Sequence, residues 1–261
     1  MHGPPGSPVK LQVAKFRQGE AMNFFDSPII EYLNGFARRS WLLDNAISHF
    51  SGSDLLKGGL VISVLWAFWF SSGDEETVAN TRRTIIAVFI GTFAGLFLAR
   101  FLAHALPFRP RPIDNPALNF IAPFGVSGKS LKGWSSFPSD HATLFFGLAL
   151  GISLVSRLIG IISIAYVFLA ILIPRIFLGY HYPTDIIAGA VLGGTCVLSA
   201  NGAKMKKSIT GPFMKWSEKY PHWFYGLFFL FSYETADLFD HVREIGRHML
   251  TVYSMIARGI I

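Results

Sequence analysis

The chain has 261 residues, 51% of them hydrophobic, 15% aromatic and only 15% charged, against roughly 25% charged in soluble domains. With a mean hydropathy of +0.42, this excludes an ordinary soluble domain and points to an integral membrane protein, one domain with appendages. The net charge of +7 fits basic loops that set topology and meet anionic headgroups, and no basic–aromatic motif points to nucleic acid. A single cysteine, Cys196, excludes an internal disulfide framework; it lies in an apolar run and reads as a small packing residue.

Residues 1–27, rich in Gly, Pro and Lys, read as a mobile tail without the apolar core of a signal peptide. From Pro28 to Phe50, apolar positions such as Ile30, Leu33, Trp41 and Ile47 mix with Glu31, Arg38, Arg39 and Asp44, predicting an amphipathic helix in the interface. Leu55–Phe70 is a first span, and Thr84 to Leu106 a second that carries Arg100 and His104 on one face late in its course. A loop over 107–137 follows, long enough to be functional. Pro138–Ser156, Arg157–Leu178 and Pro183–Ala200 are the third, fourth and fifth spans, the last rich in Gly and Ala for close packing.

Lys204, Lys206 and Lys207 then form a basic loop. His222–Tyr233 is aromatic but short of the ~20 residues a crossing needs, and 234–261 reads as another amphipathic helix. The expected fold is all-α: a polytopic transmembrane helical bundle of about five to six spans. Its parts are a tail and interfacial helix over 1–54, a core over 55–200, and basic, aromatic and amphipathic segments over 201–261. Oligomeric state is not legible.

Three polar clusters mark the ends of these spans. One is His104-(six residues)-Arg111-Pro112, the second Pro138-Ser139-Asp140-His141, the third Arg175-(five residues)-His181-(three residues)-Asp185. Any one alone is ordinary: a helix cap, a snorkelling arginine, a structural histidine. However, the second span ends, the third begins, the fourth ends and the fifth begins on one side, so all three clusters meet at one membrane face. The other face carries Arg82, Arg83, Arg157, Lys204, Lys206, Lys207, Lys215 and Lys219. By the positive-inside bias that face is cytoplasmic, which puts the clusters in the periplasm or an equivalent space. Arg38 and Arg39 argue mildly the other way.

Arg111 and Arg175 offer planar forks that fit phosphate oxygens, and Ser139 with the N–H groups of a helix start completes an anion cradle. Asp185, one turn from His181, can fix that imidazole's tautomer and raise its nucleophilicity, while His141 protonates a leaving oxygen. Two histidines so placed around an arginine-lined site spell phosphoryl transfer through a phosphohistidine. No cluster at metal-ligand spacing appears, so neither metal nor cofactor is expected.

Across residues 55–200 the three motifs, in order and at the right spacing, resemble the type 2 phosphatidic acid phosphatase (PAP2) superfamily. The resemblance implies a helical membrane core and metal-independent hydrolysis of a lipid phosphate, with His181 as nucleophile, Asp185 as its orienter and His141 as acid. Arg111, Ser139 and Arg175 would bind phosphate. The pattern departs at three places: His104 stands for a lysine, with Lys129 or Lys132 as possible substitutes, Asp140 for a glycine, and Pro174 for a serine. Asp140 would turn its carboxylate away and offer its N–H. Pro-Ser-Asp-His is similar to the form in bacterial undecaprenyl-diphosphate phosphatases. That makes undecaprenyl diphosphate, met on the outer face of a bacterial inner membrane, the leading substrate. Phosphatidic acid, phosphatidylglycerol phosphate and other polyprenyl phosphates stay open, as does a weakened lipid-binding homologue. A vanadate-dependent haloperoxidase shares such a pocket, but the spans count against it.

Overall fold

The computed structural model describes residues 23–126 and 133–257. Most of the expected tail, together with Lys129 and Lys132, lies outside the described residues. The regular structure described is helical. It runs α1 (Asp26–Asn34), α2 (Trp41–Gly52), α3 (Leu55–Trp69), α4 (Glu75–Ala105), two short 3₁₀ turns, α5 (Ala142–Ser153), α6 (Arg157–Phe177), α7 (Pro183–Ala200), α8 (Ala203–Lys219), α9 (Pro221–Ala236) and α10 (Asp240–Ala257).

Among the described residues, α4, α6 and α7 are long and apolar enough to cross a bilayer, and α3 and α5 are apolar but shorter. Local signals explain the ends. Asp74 caps α4 by accepting from Thr77 N–H at 2.8 Å, with Glu75 and Glu76 in the first turn, where the helix dipole favours anions. Pro183 occupies the first turn of α7, where its missing N–H costs nothing. Outward positions such as Phe97 and Phe101 on α4, Phe168 and Leu169 on α6, and Val191 on α7 are exposed. In a bilayer those faces meet lipid.

Between helices in lipid there is little hydrophobic driving force, so close packing must hold the bundle. The residues that allow it are small. A Cβ on Gly193 would come 2.0 Å from the Thr143 carbonyl oxygen, and one on Gly189 would come 2.4 Å from that of Ser139. Gly91 likewise faces the Cys196 carbonyl at 2.8 Å. Helix α7 therefore lies directly on the start of α5 and on the middle of α4, which fixes the second motif against the third.

The aromatic segment packs beside α3. The Trp69 ring lies 5.7 Å from Phe224 and 5.0 Å from Phe228, and Trp66 Nε1–H donates to Ser232 Oγ at 3.0 Å. Such pairs add about 0.5–1.5 kcal/mol beyond burial.

The structure departs from the sequence reading at three places. The stretch expected as one interfacial helix is two, broken near Arg38 at φ 62°, because Asp44 Oδ2 accepts from Arg38 N–H and Phe124 N–H, each at 2.9 Å. The expected tail ends before Asp26, which is fully buried. The basic segment is helix α8 rather than a loop. Lys206 Nζ donates to Asn80 Oδ1 at 2.9 Å and to Thr84 Oγ1 at 3.3 Å, docking it on the start of α4.

Substituting Gly193 by valine should therefore lower the melting temperature in detergent markedly, since overpacking costs roughly 1–3 kcal/mol. Gly226→Ala, where a Cβ meets nothing within 4 Å, should leave it unchanged or raised. Equal melting of Gly193→Val and wild type would show that this close approach does not hold α7 in place.

Candidate active site

The third motif is shaped by the turn between α6 and α7. Gly179 takes φ +73°, and a Cβ there would sit 2.6 Å from the Phe120 ring; the left-handed conformation and the lack of space both call for glycine. The turn returns the chain so that Tyr180 N–H and His181 N–H both donate to the Arg175 carbonyl, at 2.9 and 3.3 Å. His181 is then buried at the head of α7.

His181 Nδ1 lies 2.9 Å from the Ser136 carbonyl oxygen and 3.7 Å from Asp185 Oδ2. A carbonyl only accepts, so Nδ1 carries the proton and Nε2 keeps its lone pair. The orienting hydrogen bond expected from Asp185 is thus made by the Ser136 backbone. At 3.7 Å the carboxylate acts through its charge. Burial pushes the His181 imidazole below its ordinary pKa, and Asp185 opposes that shift.

Asp185 is itself tightly held. Its Oδ2 accepts from Tyr182 N–H at 2.8 Å, and its Oδ1 pairs with Arg109 Nη1. Arg109 Nη1 also donates to Thr184 Oγ1 at 2.9 Å, and Arg109 Nη2 to Asp26 Oδ2 at 2.8 Å, while its guanidinium lies 4.0 Å over the Tyr182 ring. Asp26 closes the ring by accepting from Thr184 N–H at 2.9 Å and Thr184 Oγ1 at 2.7 Å. Of the two Arg-Pro pairs, Arg109 therefore serves this scaffold and Arg111 faces the centre.

Arg111 is buried, and one Nη1–H donates to the Tyr180 carbonyl at 2.7 Å. Burial lowers its pKa, and the nearby charge of Arg100 acts the same way, while Asp140 and Asp185 oppose it. Arg175 Nη2 donates to His141 Nε2 and, at 3.4 Å, to the Ser51 carbonyl. The Nε–H groups of both arginines are buried and unpartnered among the described residues, as is Ser136 Oγ. Buried donors without acceptors are costly, and an anion between them would satisfy several at once.

Ser139 is fully buried at the turn into α5. Its N–H donates to the Asp185 carbonyl at 3.1 Å and its Oγ accepts from Ala142 N–H at 3.4 Å. The hydroxyl proton stays available for an oxyanion. Asp140 turns its carboxylate to Arg100, whose guanidinium carbon lies 4.9 Å from the centroid of the Trp134 ring. His104, by contrast, is exposed, its ring nitrogen 2.8 Å from the Arg100 carbonyl one turn back. The structure thus brings Arg111, Ser139, His141, Arg175, His181 and Asp185 together and leaves His104 at the edge. It adds Asp26, Arg100, Arg109 and Ser136, which the sequence reading had not assigned to the site.

Buried arginines and two imidazoles thus gather at the ends of membrane-length helices, an arrangement that suits a phosphoryl group, and the relatives of the chain make it a phosphatase of the hydrolase class. Residues 83–207 match the PAP2 superfamily, and the chain carries a PAP2 superfamily domain. It is 29% identical over 185 residues to a lipid A 4'-phosphatase of Bacteroides thetaiotaomicron, spanning 67% of this chain and 75% of that protein. It is 26% identical over 160 residues to the putative undecaprenyl-diphosphatase YbjG of Escherichia coli, spanning 61% and 72%. With the undecaprenyl-diphosphatase BcrC of Bacillus subtilis it shares 23% identity over 165 residues, 63% and 76% of the two chains. No solved structure is significantly similar.

Replacing Arg109 by alanine leaves two buried carboxylates, Asp26 and Asp185, without their shared cation. Breaking such pairs costs about 3–5 kcal/mol; Arg109 is 28% exposed, so the low end is expected. Thermal unfolding and phosphate release should both fall, with Arg109→Lys intermediate because one ammonium cannot span three acceptors. Wild-type stability and turnover in Arg109→Ala would remove this network from the account of the site.

Proposed function

We propose that the protein hydrolyses the terminal phosphate of a lipid diphosphate through a phosphohistidine on His181, with undecaprenyl diphosphate as the leading substrate. The observation that carries this reading is His181 itself: its Nδ1 proton is fixed on the Ser136 carbonyl, and its Nε2 lone pair is left for attack beside two arginines with unpartnered buried donors. Two relatives are named as undecaprenyl-diphosphatases, one of them putatively, which supports the substrate. The lipid A 4'-phosphatase relative keeps other lipid phosphates as outcomes of the test.

In this reading Arg111, Arg175 and the Ser139 hydroxyl hold the equatorial oxygens and draw charge off the transferring phosphoryl group. His181 Nε2 forms a bond to phosphorus as the bond to the bridging oxygen breaks. The leaving oxygen takes its proton from His141. Arg175 Nη2 donates to His141 Nε2, so that nitrogen is not protonated. A bound phosphate draws the guanidinium toward itself and supplies the negative charge that favours an imidazolium. Water then attacks the phosphohistidine, His141 takes the water's proton, and inorganic phosphate leaves. The arginines and the histidine supply the charge and the proton, so the chemistry requires no metal.

The site lies at the ends of α4 and α6 and the starts of α5 and α7. Arg82, Arg83, Arg157 and the α8 lysines lie toward the opposite ends of these helices. The positive-inside bias then favours the outer, periplasmic face of a bacterial inner membrane for the site, where a spent lipid carrier would be met.

Purified protein in detergent with EDTA should release phosphate from undecaprenyl diphosphate in preference to phosphatidic acid and phosphatidylglycerol phosphate, and His181→Ala should abolish release while remaining folded. Release from none of the three, or release that survives His181→Ala, would overturn the reading. The pH profile is a second check. Since burial lowers the His181 pKa, the acid limb of kcat/KM should lie below pH 6.5, the ordinary histidine value. Asp185 raises that pKa, so Asp185→Asn should lower the rate and move the acid limb to lower pH. A limb that moves upward would contradict the assignment.

A further inference from the structure

We infer that Lys57 is a further phosphate-binding residue of this site, an ammonium brought beside His141 by the turn from α2 into α3. The inference rests on the phosphatase reading and concerns a residue outside the three sequence motifs.

Lys57 stands in the first turn of α3. Its side chain is only 7% exposed, and its Nζ lies 2.8 Å from Asp54 Oδ1. The turn that carries it is fixed on both sides. Tyr166 Oη of α6 donates to the Leu56 carbonyl, and a Cβ on Gly58 would come 2.2 Å from the Ala236 carbonyl oxygen of α9. Both neighbours of Lys57 are thus pressed against other helices, and a cation presented from such a turn is held before any ligand arrives.

The same stretch of chain meets the reactive groups. Arg175 Nη2 donates to His141 Nε2 and, at 3.4 Å, to the Ser51 carbonyl, so one guanidinium bridges the end of α2 and the proposed acid. Ser51 is buried, and its Oγ is unpartnered among the described residues. Two residues on, the Ser53 carbonyl accepts from Lys57 N–H at 2.9 Å, which ties the start of α3 to this wall of the site. Burial pushes the His141 imidazole well below its ordinary pKa, and the Arg175 charge pushes it further. Lys57 comes next, ahead of His181 and Arg111. Lys57 therefore acts on the same imidazole as the motif residues.

An ionisable side chain enclosed in a membrane bundle is costly and marks a path or site for charge unless it is well paired. The pair with Asp54 is a weak compensation, because that carboxylate is 50% exposed and shared with water. An ammonium has three donors, and Asp54 is its one ion-pair partner among the described residues. A phosphate supplies the further acceptors, in a place where Arg175, Arg111 and Lys57 all oppose a proton on His141. Lys57 so adds a point charge to the two arginine forks.

Inorganic phosphate is the probe, titrated calorimetrically into purified protein in detergent with EDTA. Lys57→Met, apolar and of similar length, should weaken phosphate binding at least tenfold and raise KM for undecaprenyl diphosphate. Lys57→Arg, which keeps the charge, should lose less. Asp54→Asn separates this role from a purely structural one. It should bind phosphate at least as tightly as wild type, and adding Lys57→Met to it should again cost at least tenfold. A lysine that serves only to neutralise Asp54 would leave that second step without effect. The double variant removes both charges, so it also covers a Lys57→Met protein that fails to fold around an unpaired carboxylate. Undiminished phosphate affinity in Lys57→Met, or no loss between Asp54→Asn and the double variant, would overturn the inference even if wild-type protein releases phosphate from lipid. Wild-type protein that releases none from any lipid, yet loses phosphate affinity with Lys57 as expected, would instead overturn the proposed function and leave the Lys57 assignment standing.

Discussion

The Asp185 carboxylate is fully enclosed at the head of a membrane helix, where an unpaired charge would be prohibitively costly. The groups that satisfy Asp185, at its carboxylate and its backbone carbonyl, come from different parts of the chain. Arg109 arrives from the long loop, Tyr182 from the turn before α7, and the Ser139 N–H from the start of α5 takes the Asp185 backbone carbonyl. Arg109 in turn requires Asp26, which brings in the first helix. Satisfying Asp185, carboxylate and carbonyl together, therefore places four segments, and the proposed reactive groups are carried on those segments. His181 stands one turn before Asp185, His141 two residues after Ser139, and Arg111 two residues after Arg109.

Close helix packing is the second condition. A charge network of this kind is only as fixed as the backbones that present it. Gly189 and Gly193 let α7 lie against the Ser139 and Thr143 carbonyls, so the Ser139–Asp185 hydrogen bond joins two helices already in contact. The outward faces of α4, α6 and α7 stay apolar for lipid, and the polar groups gather at one end. The bundle and the site are thus two readings of one pattern: small residues inward along the helices, and charge at their ends.

Much of this was legible in the sequence because it is local. Membrane-length apolar runs announce helices, and span parity puts Arg111, Ser139, His141, Arg175, His181 and Asp185 at one face without any tertiary information. What was not legible is what depends on distant pairing or on the backbone. Asp26 and Arg109 stand 83 residues apart, and nothing about Asp26 in a Pro- and Lys-containing leader marks it as buried. Arg109 and Arg111 occupy equivalent Arg-Pro pairs, and only the fold gives them different work. The group that orients His181 is a peptide carbonyl, which has no residue signature. His104 and Arg100 share a helix face, yet only the longer side chain reaches Asp140, while the imidazole folds back on its own helix.

The Arg175–His141 contact bears on why such a site does not hold its proton idle. The guanidinium donates to the nitrogen that, on the proposed mechanism, later carries the proton, and two like charges side by side in a buried place would be mutually unfavourable. On the proposed mechanism the acid is therefore not formed ahead of its substrate. An arriving phosphate relieves the arginine of its makeshift acceptor, satisfies buried donors that otherwise stand open, and supplies the negative potential under which the imidazole can accept a proton. On that mechanism, anion binding and proton loading are one event. A carboxylate or a neutral headgroup, lacking the charge and the oxygens to engage both arginines at once, would dock without arming His141, so on the proposed mechanism selection for phosphate is exercised at the proton as well as at the pocket.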